Sequence, residues 1–302
     1  MVTKATMRIC RRLSVVLLLL TRAAAAGELG ASLQLEGRMA CQRGAAWLIA
    51  RQAADGSWQQ DTALSAQAAL ALVAVAADVP AARAARSQAI AYLQESLAQT
   101  APPLSPDALV AVLRLFLRED IAVPPKSVAR LHAQVAAGET PAKDAMPILE
   151  TLLLLQRGAV ATQSGDPAGQ EQETARLVEL LYAKVMADGE NSGEQLGECL
   201  AARMAMGDAA VGAAAQQRLK ELRGAAGSLR FTELYWLARV LYAQADAEAT
   251  WRTPLLIMLL EKQRGDGGWG GNEENQALRL VDSAWALQAL AVLLAEALPQ
   301  GE

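Results

Sequence analysis

Along most of this chain, apolar residues return every three to four positions, the period of an amphipathic or buried helix. Strand-like alternation is absent. The pattern predicts twelve helices, over 37–54, 61–77, 80–98, 105–118, 124–137, 141–157, 168–187, 192–206, 208–223, 231–246, 248–264 and 280–296. The gaps carry helix punctuation. Ser105-Pro106-Asp107 reads as N-cap, N1 proline and first-turn acid, and Thr140-Pro141 repeats the device. Ser192 followed by Gln195 has the spacing of a capping box. Ala and Leu dominate and β-branched residues are sparse, so composition agrees with an all-α protein.

Two stretches at opposite ends of the chain resemble each other. RGAAWLIARQAADGSWQQD (43–61) and LLIMLLEKQRGDGGWGGN (255–272) both place a glutamine, a glycine turn and a tryptophan in the same order. Gln52 to Gln263 and Trp58 to Trp269 are each 211 residues apart, about five times a helical-hairpin repeat of roughly 42. A weaker third copy, YAKVMADGENS (182–192), keeps the turn through Asp188 and Gly189 and loses the glutamine and tryptophan. Six helical pairs then fill residues 27–302. The strongest copies are the first and the last, where an open solenoid would carry polar caps. The expectation is therefore a closed (α/α)6 toroid of about twelve helices, one of each pair outside and one inside.

The first 26 residues are expected to be an address and not part of the fold. Lys4, Arg8, Arg11 and Arg12 precede an eight-residue apolar run, Leu13 to Leu20, and Ala24-Ala25-Ala26 offers a small-residue cleavage site. Eight residues are too few to span a bilayer. A signal peptide cleaved near Ala26 implies a periplasmic or secreted protein with no transmembrane segment in the mature chain. Its loss leaves 23 basic against 32 acidic residues, a net charge of about −9. An acidic chain without a basic cluster is not expected to bind nucleic acid. Cys41 and Cys199 remain after Cys10 leaves, too few for a disulfide scaffold.

The glutamine-turn-tryptophan stretches resemble the QW motif of the squalene–hopene cyclase, oxidosqualene cyclase and protein prenyltransferase superfamily. Arg43, Gly44, Trp47, Leu48, Gln52, Gly56 and Trp58 match it in order, and Gln263, Gly267 and Trp269 match in the second copy. In physical terms the glutamine amide can satisfy free backbone groups at a helix junction, and the indole covers that junction. These six positions, Gln52, Gly56, Trp58, Gln263, Gly267 and Trp269, are expected to be structural.

The resemblance implies a cyclase or transferase fold, and the chain departs from both chemistries. Cyclases of the squalene–hopene type protonate an alkene with an aspartic acid in a DxDDTA motif. Asp61-Thr62-Ala63 keeps the tail of that motif, while Gln60 stands at the proton donor and Val281 precedes Asp282. An amide cannot protonate an alkene. The prenyltransferase branch needs an Asp, Cys and His zinc site. His132 falls on an outer helix and Cys199 has no histidine beside it, so no metal or other cofactor is expected. The stretch Asn191-Ser192-Gly193-Glu194-Gln195 resembles a macroglobulin thioester motif, with Ser192 where the cysteine would stand.

What remains is a set of acids at or near inner-helix starts: Asp61, Asp107, Asp144, Glu194, Glu233 and Asp282. Such acids balance helix dipoles. A pair of them could also do acid–base work, as in glycosidases. Candidate catalytic residues are thus Asp61, Asp282, Glu233 and Asp144. Candidate cavity residues are Trp236, Tyr235, Trp285 and Glu194. Two readings follow: a non-catalytic module binding an apolar or isoprenoid ligand or a protein partner, or an enzyme with an acidic mouth. The enzyme would act on an isoprenoid, like a cyclase or mutase, or on a glycan, like a glycoside hydrolase or lyase.

Overall fold

The computed structural model describes residues 29–77, 79–98, 104–137, 142–157, 172–183, 200–201, 204, 211–224, 230–243, 250–271 and 274–295. The expected signal peptide, the third turn copy beyond Ala183, the Ser192 capping box and Glu194 and Cys199 lie outside the described residues. Thr140-Pro141 lies outside them too, as does the side chain of Asp144.

Among the described residues, eleven helices account for the regular structure. They are α1 (Ala31–Ile49), α2 (Thr62–Val75), α3 (Pro80–Ala98), α4 (Pro106–Arg118), α5 (Pro125–Ala136) and α6 (Ala142–Arg157). After α7 (172–183) come α8 (Val211–Gly224), α9 (Phe231–Ala243), α10 (Arg252–Lys262) and α11 (Gln276–Leu294). The expected all-α class is what the chain adopts.

Two starts follow the expected chemistry. Asp61 accepts the Leu64 amide at 2.9 Å to cap α2, and Ser105 accepts that of Ala108 at 3.3 Å to cap α4. One start differs. The last helix begins at Gln276 and not at 280, because Asn275 accepts the Leu278 amide at 3.0 Å. Asp282 therefore sits in the second turn and caps nothing. The first helix likewise begins earlier than expected, at Ala31.

Burial sorts the helices into two kinds. In α2, every residue from Ser65 to Leu72 is buried, and α4, α9 and α11 are similarly enclosed. In α3, by contrast, only Ala82, Ala85, Ala89 and Leu93 are buried, a single stripe with helical spacing. The enclosed helices pack on one another in order: α9 on α11, α11 on α2, α2 on α4, and α4 on α6. The last helix thus rests against the first enclosed one, and it touches α1 as well.

Among the described residues α11 alone has the length and apolar content to cross a bilayer, and 67% of its apolar window is buried inside the fold.

Candidate functional site

The two glutamine-turn-tryptophan stretches build the same junction. After α1, Gln52 Nε2 donates to Gly56 O at 3.0 Å and to Ala85 O, on α3, at 2.8 Å. After α10, Gln263 Nε2 donates to Gly267 O and to Ala40 O, on α1, both at 2.9 Å. Each indole is fully buried and donates to a carbonyl of the helix before its turn: Trp58 to Leu48 and Trp269 to Leu259, both at 2.8 Å. Their amides find Ser65 Oγ and Ser283 Oγ on the helices that follow. Gly56 and Gly267 have φ of +89° and +95°, and a Cβ there would lie 2.3 Å from Gln88 O or 2.7 Å from Arg43 O. Every one of these groups is spent on the junction, so none is free for a ligand.

Asp266 adds a bond at the second junction that the first lacks. It accepts from Trp47 Nε1 at 3.0 Å and from Arg279 Nη2 at 2.8 Å, joining α1 to α11. Partial burial opposes its ionisation. The Arg279, Trp47 and Gly268 donors outweigh that and bring its pKa to about 2.

Beside the first junction a cavity of about 300 Å³ opens between α2, α4, α6 and α11. Asp61 and Asp107 stand at the N-terminal ends of two of these helices, α2 and α4. Leu64, Val110 and Val281 supply apolar lining, with Trp285 alongside. Deeper along the same helices lie Gln67 and Arg114, 8% and 1% exposed.

Below it is a buried ionic cluster. Glu150, on α6, accepts from Arg114 Nε at 2.8 Å and Arg118 Nη2 at 2.7 Å, and also from Arg239 Nη1. Tyr235 OH accepts from Arg118 Nη2 at 2.8 Å and Arg239 Nη1 at 3.3 Å. Tyr235, Trp236 and Trp285 form an aromatic group, with Tyr235 4.9 Å from Trp236 and 5.0 Å from Trp285 between ring centres. The Arg114 guanidinium lies 5.4 Å from the Trp285 ring centre. Burial alone would push the Glu150 pKa up. Arg114, Arg118 and Arg239 overcome it and hold the carboxylate far below its ordinary value. Burial also works against the charge of Arg118, and Tyr235 and Glu150 outweigh it, raising its pKa.

The expected site residues therefore divide. Asp61, Asp107 and Trp285 share the cavity, and Tyr235 and Trp236 belong to the cluster beneath it. Glu233 is buried and bonded to Arg218 Nε at 2.8 Å, away from the cavity lining. Asp282 faces the loop instead: a Cβ on Gly270 would lie 2.2 Å from its Oδ2. Burial raises the Asp282 pKa to about 6. Gln60 is exposed in a turn with φ +54°. His132 is half-buried on α5, 3.2 Å from Thr174. Leu237 is fully buried in the core.

Sequence reasoning missed Arg114, Arg118, Glu150 and Arg239. The signal was present: single charges inside otherwise apolar runs, ALVAVLRLFLR and PILETLLLL, are costly unless paired. Among the described residues no group of three or more His, Cys, Asp or Glu side chains could hold a metal ion. Compared with protein-family models and with curated proteins, the chain finds no match in either.

Proposed function

We propose that this chain is an exported α/α toroid of the cyclase and prenyltransferase repeat type that binds a small ligand at one mouth without catalysis. Ring closure is supported by the Gln263 bond to Ala40 and by the packing of α11 on both α1 and α2. Export is supported by the pattern of residues 1–26 alone.

The observation that carries the absence of catalysis is the Arg114–Glu150–Arg118–Arg239 cluster. It occupies the space between the enclosed helices where a cyclase would need an apolar chamber. A cavity beside it, about 300 Å³, is at the small end of ligand sites, which run from roughly 300 to 1,000 Å³. A thirty-carbon isoprenoid does not fit it. Asp61 is spent partly on capping, and position 60 faces solvent.

The test is native mass spectrometry of the purified protein, paired with incubation on squalene, isoprenoid diphosphates and a glycan panel. A small retained molecule and no product are expected. Any turnover that Asp61→Asn abolishes would overturn the reading.

One observation favours an acid–base enzyme instead. Asp61 and Asp107 line a single cavity, as the paired carboxylates of a glycosidase do. That reading requires product from the glycan panel, and Trp285 is the one aromatic ring lining the cavity to stack on a sugar.

A further inference from the structure

Three arginines share one carboxylate at the centre of the enclosed helices, and the charges do not balance. Arg114 takes Glu150 Oε2, with Nε at 2.8 Å and Nη2 at 2.6 Å, and so neutralises it. Arg118 and Arg239 are left to share Oε1. Among the described residues Glu150 is the one carboxylate paired with either of them, since Glu119, next to Arg118 in the chain, is held by Arg86 at 3.1 Å. Their other shared acceptor is the Tyr235 hydroxyl, a phenol and not a second carboxylate. Two guanidiniums that bond the same two oxygens are held side by side against their mutual repulsion.

Both also keep donors in reserve. A guanidinium offers five N–H groups on three nitrogens. Arg118 reaches Glu150 and Tyr235 through Nη2 alone, and Arg239 through Nη1 alone. Among the described residues Nε and Nη1 of Arg118 and Nε and Nη2 of Arg239 have no acceptor, and none of the four is sealed from solvent as Arg114 Nη2 is. The two side chains are 22% and 34% exposed. The Arg239 guanidinium is steadied by an aromatic neighbour, 5.5 Å from the centre of the Trp236 ring. Arg118 lies eleven residues beyond Asp107 on α4, about 16 Å, so these donors are well apart from the acids at the cavity rim.

We infer that Arg118 and Arg239 bind a phosphate dianion, free or as the head of a small phosphate monoester. Such a group carries close to two negative charges at neutral pH, which match the two positive charges in excess. Two planar forks side by side suit an anion whose oxygens point several ways. A monocarboxylate would balance one charge and leave the other. Glu150 holds the forks in place, and Arg114 keeps Glu150 from repelling the ligand. The assignment is independent of what the cavity binds.

Calorimetry on the full chain tests it, with inorganic phosphate, glycerol 3-phosphate and acetate titrated at equal ionic strength. Both phosphates are expected to bind at least tenfold more tightly than acetate, and the tighter of the two identifies the source. Arg239→Gln should weaken phosphate at least tenfold. Arg239→Lys keeps a charge facing Glu150 and should lose several-fold, because an ammonium cannot replace the planar fork. Arg176→Gln, at an exposed arginine of α7 paired with Glu173, should bind as the parent does. Phosphates that bind no better than acetate would overturn the site, as would parental affinity in Arg239→Gln. An equal loss in Arg176→Gln would reduce the binding to general charge attraction and overturn it too. Should Arg239→Gln fail to fold, the lysine variant decides alone, and parental affinity there would place the anion elsewhere.

Discussion

Two places in the chain carry a cost that a single substitution can report. Gln59 and Gln60 have φ of +57° and +54°, and the Asp61 amide bonds Trp58 O at 3.0 Å, which makes Trp58–Asp61 a type I′ turn. A left-handed conformation costs a non-glycine residue roughly 1–2 kcal/mol. At the second copy the corresponding positions are Gly270 and Gly271. Gln60→Gly should therefore raise stability by roughly 0.5–1 kcal/mol after the entropy of the added glycine is subtracted, read as a higher urea midpoint. A lowered midpoint would mean that the side chain makes a contact worth more than the strain. Asp282 is the second case. Its folded pKa of about 6 lies above the ordinary 3.8, so the protonated form is the one the fold favours. Stability from this group is complete below about pH 4 and is lost as pH rises through 6. Asp282→Asn should then melt higher than the parent at pH 7.5 and match it at pH 4. A variant that melts lower at both pH values would show that the carboxylate makes a bond that asparagine cannot replace.

At the scale of elements, the glycine turns and glutamines are what the sequence made most legible. Gln52, Gly56 and Trp58 could be read because the junction is local. A helix end, a tight turn and the next helix start lie within twenty residues, and each needs a particular residue type. The second copy made the reading firmer by repeating it. The acids were legible only as first-turn residues. Asp61 and Asp107 share a cavity because α2 and α4 are neighbours with the same direction, whereas Glu233 turned to Arg218, a partner fifteen residues earlier. Asp282 was misplaced because Asn275 stops the loop sooner than hydrophobic periodicity indicates. The Arg114–Glu150–Arg239 cluster joins residues on three helices, and no local rule connects them. A test of the turn belongs here. Gly267→Ala would place a Cβ 2.7 Å from Arg43 O at φ +95°. Strain and overpacking together should cost about 2–3 kcal/mol, visible as a fall in the denaturant midpoint with an unchanged slope. A loss below about 0.5 kcal/mol would mean that the turn can shift away from α1.

Across the whole molecule, two devices bind distant parts of the chain. The first is the junction at which Gln263 meets α1. In an open solenoid the last glutamine would have no neighbouring repeat to hold, so Gln263→Ala would be nearly silent. Here it should cost about 1–3 kcal/mol, because Ala40 O and Gly267 O both lose a donor, and Gln52→Ala should cost a similar amount. Chemical denaturation of the two variants checks this, and a silent Gln263→Ala would count against a closed ring. The second device is Glu150, whose carboxylate ties α4, α6 and α9 through three arginines. Replacing the pair by well-packed apolar residues could be neutral, but removing the one carboxylate leaves three buried or half-buried cations facing one another. Glu150→Gln keeps the shape and should still cost about 3–5 kcal/mol. The pH dependence separates this from a packing defect. The depressed pKa of Glu150 gives stability that is complete above its ordinary value of 4.5 and is lost as pH falls below it toward the much lower folded value. The gap between parent and variant should therefore be widest near neutral pH and shrink steadily in acid. A gap that stays constant between pH 7 and pH 3 would assign the loss to shape, and the ionic cluster would then not be what holds the centre of the fold closed.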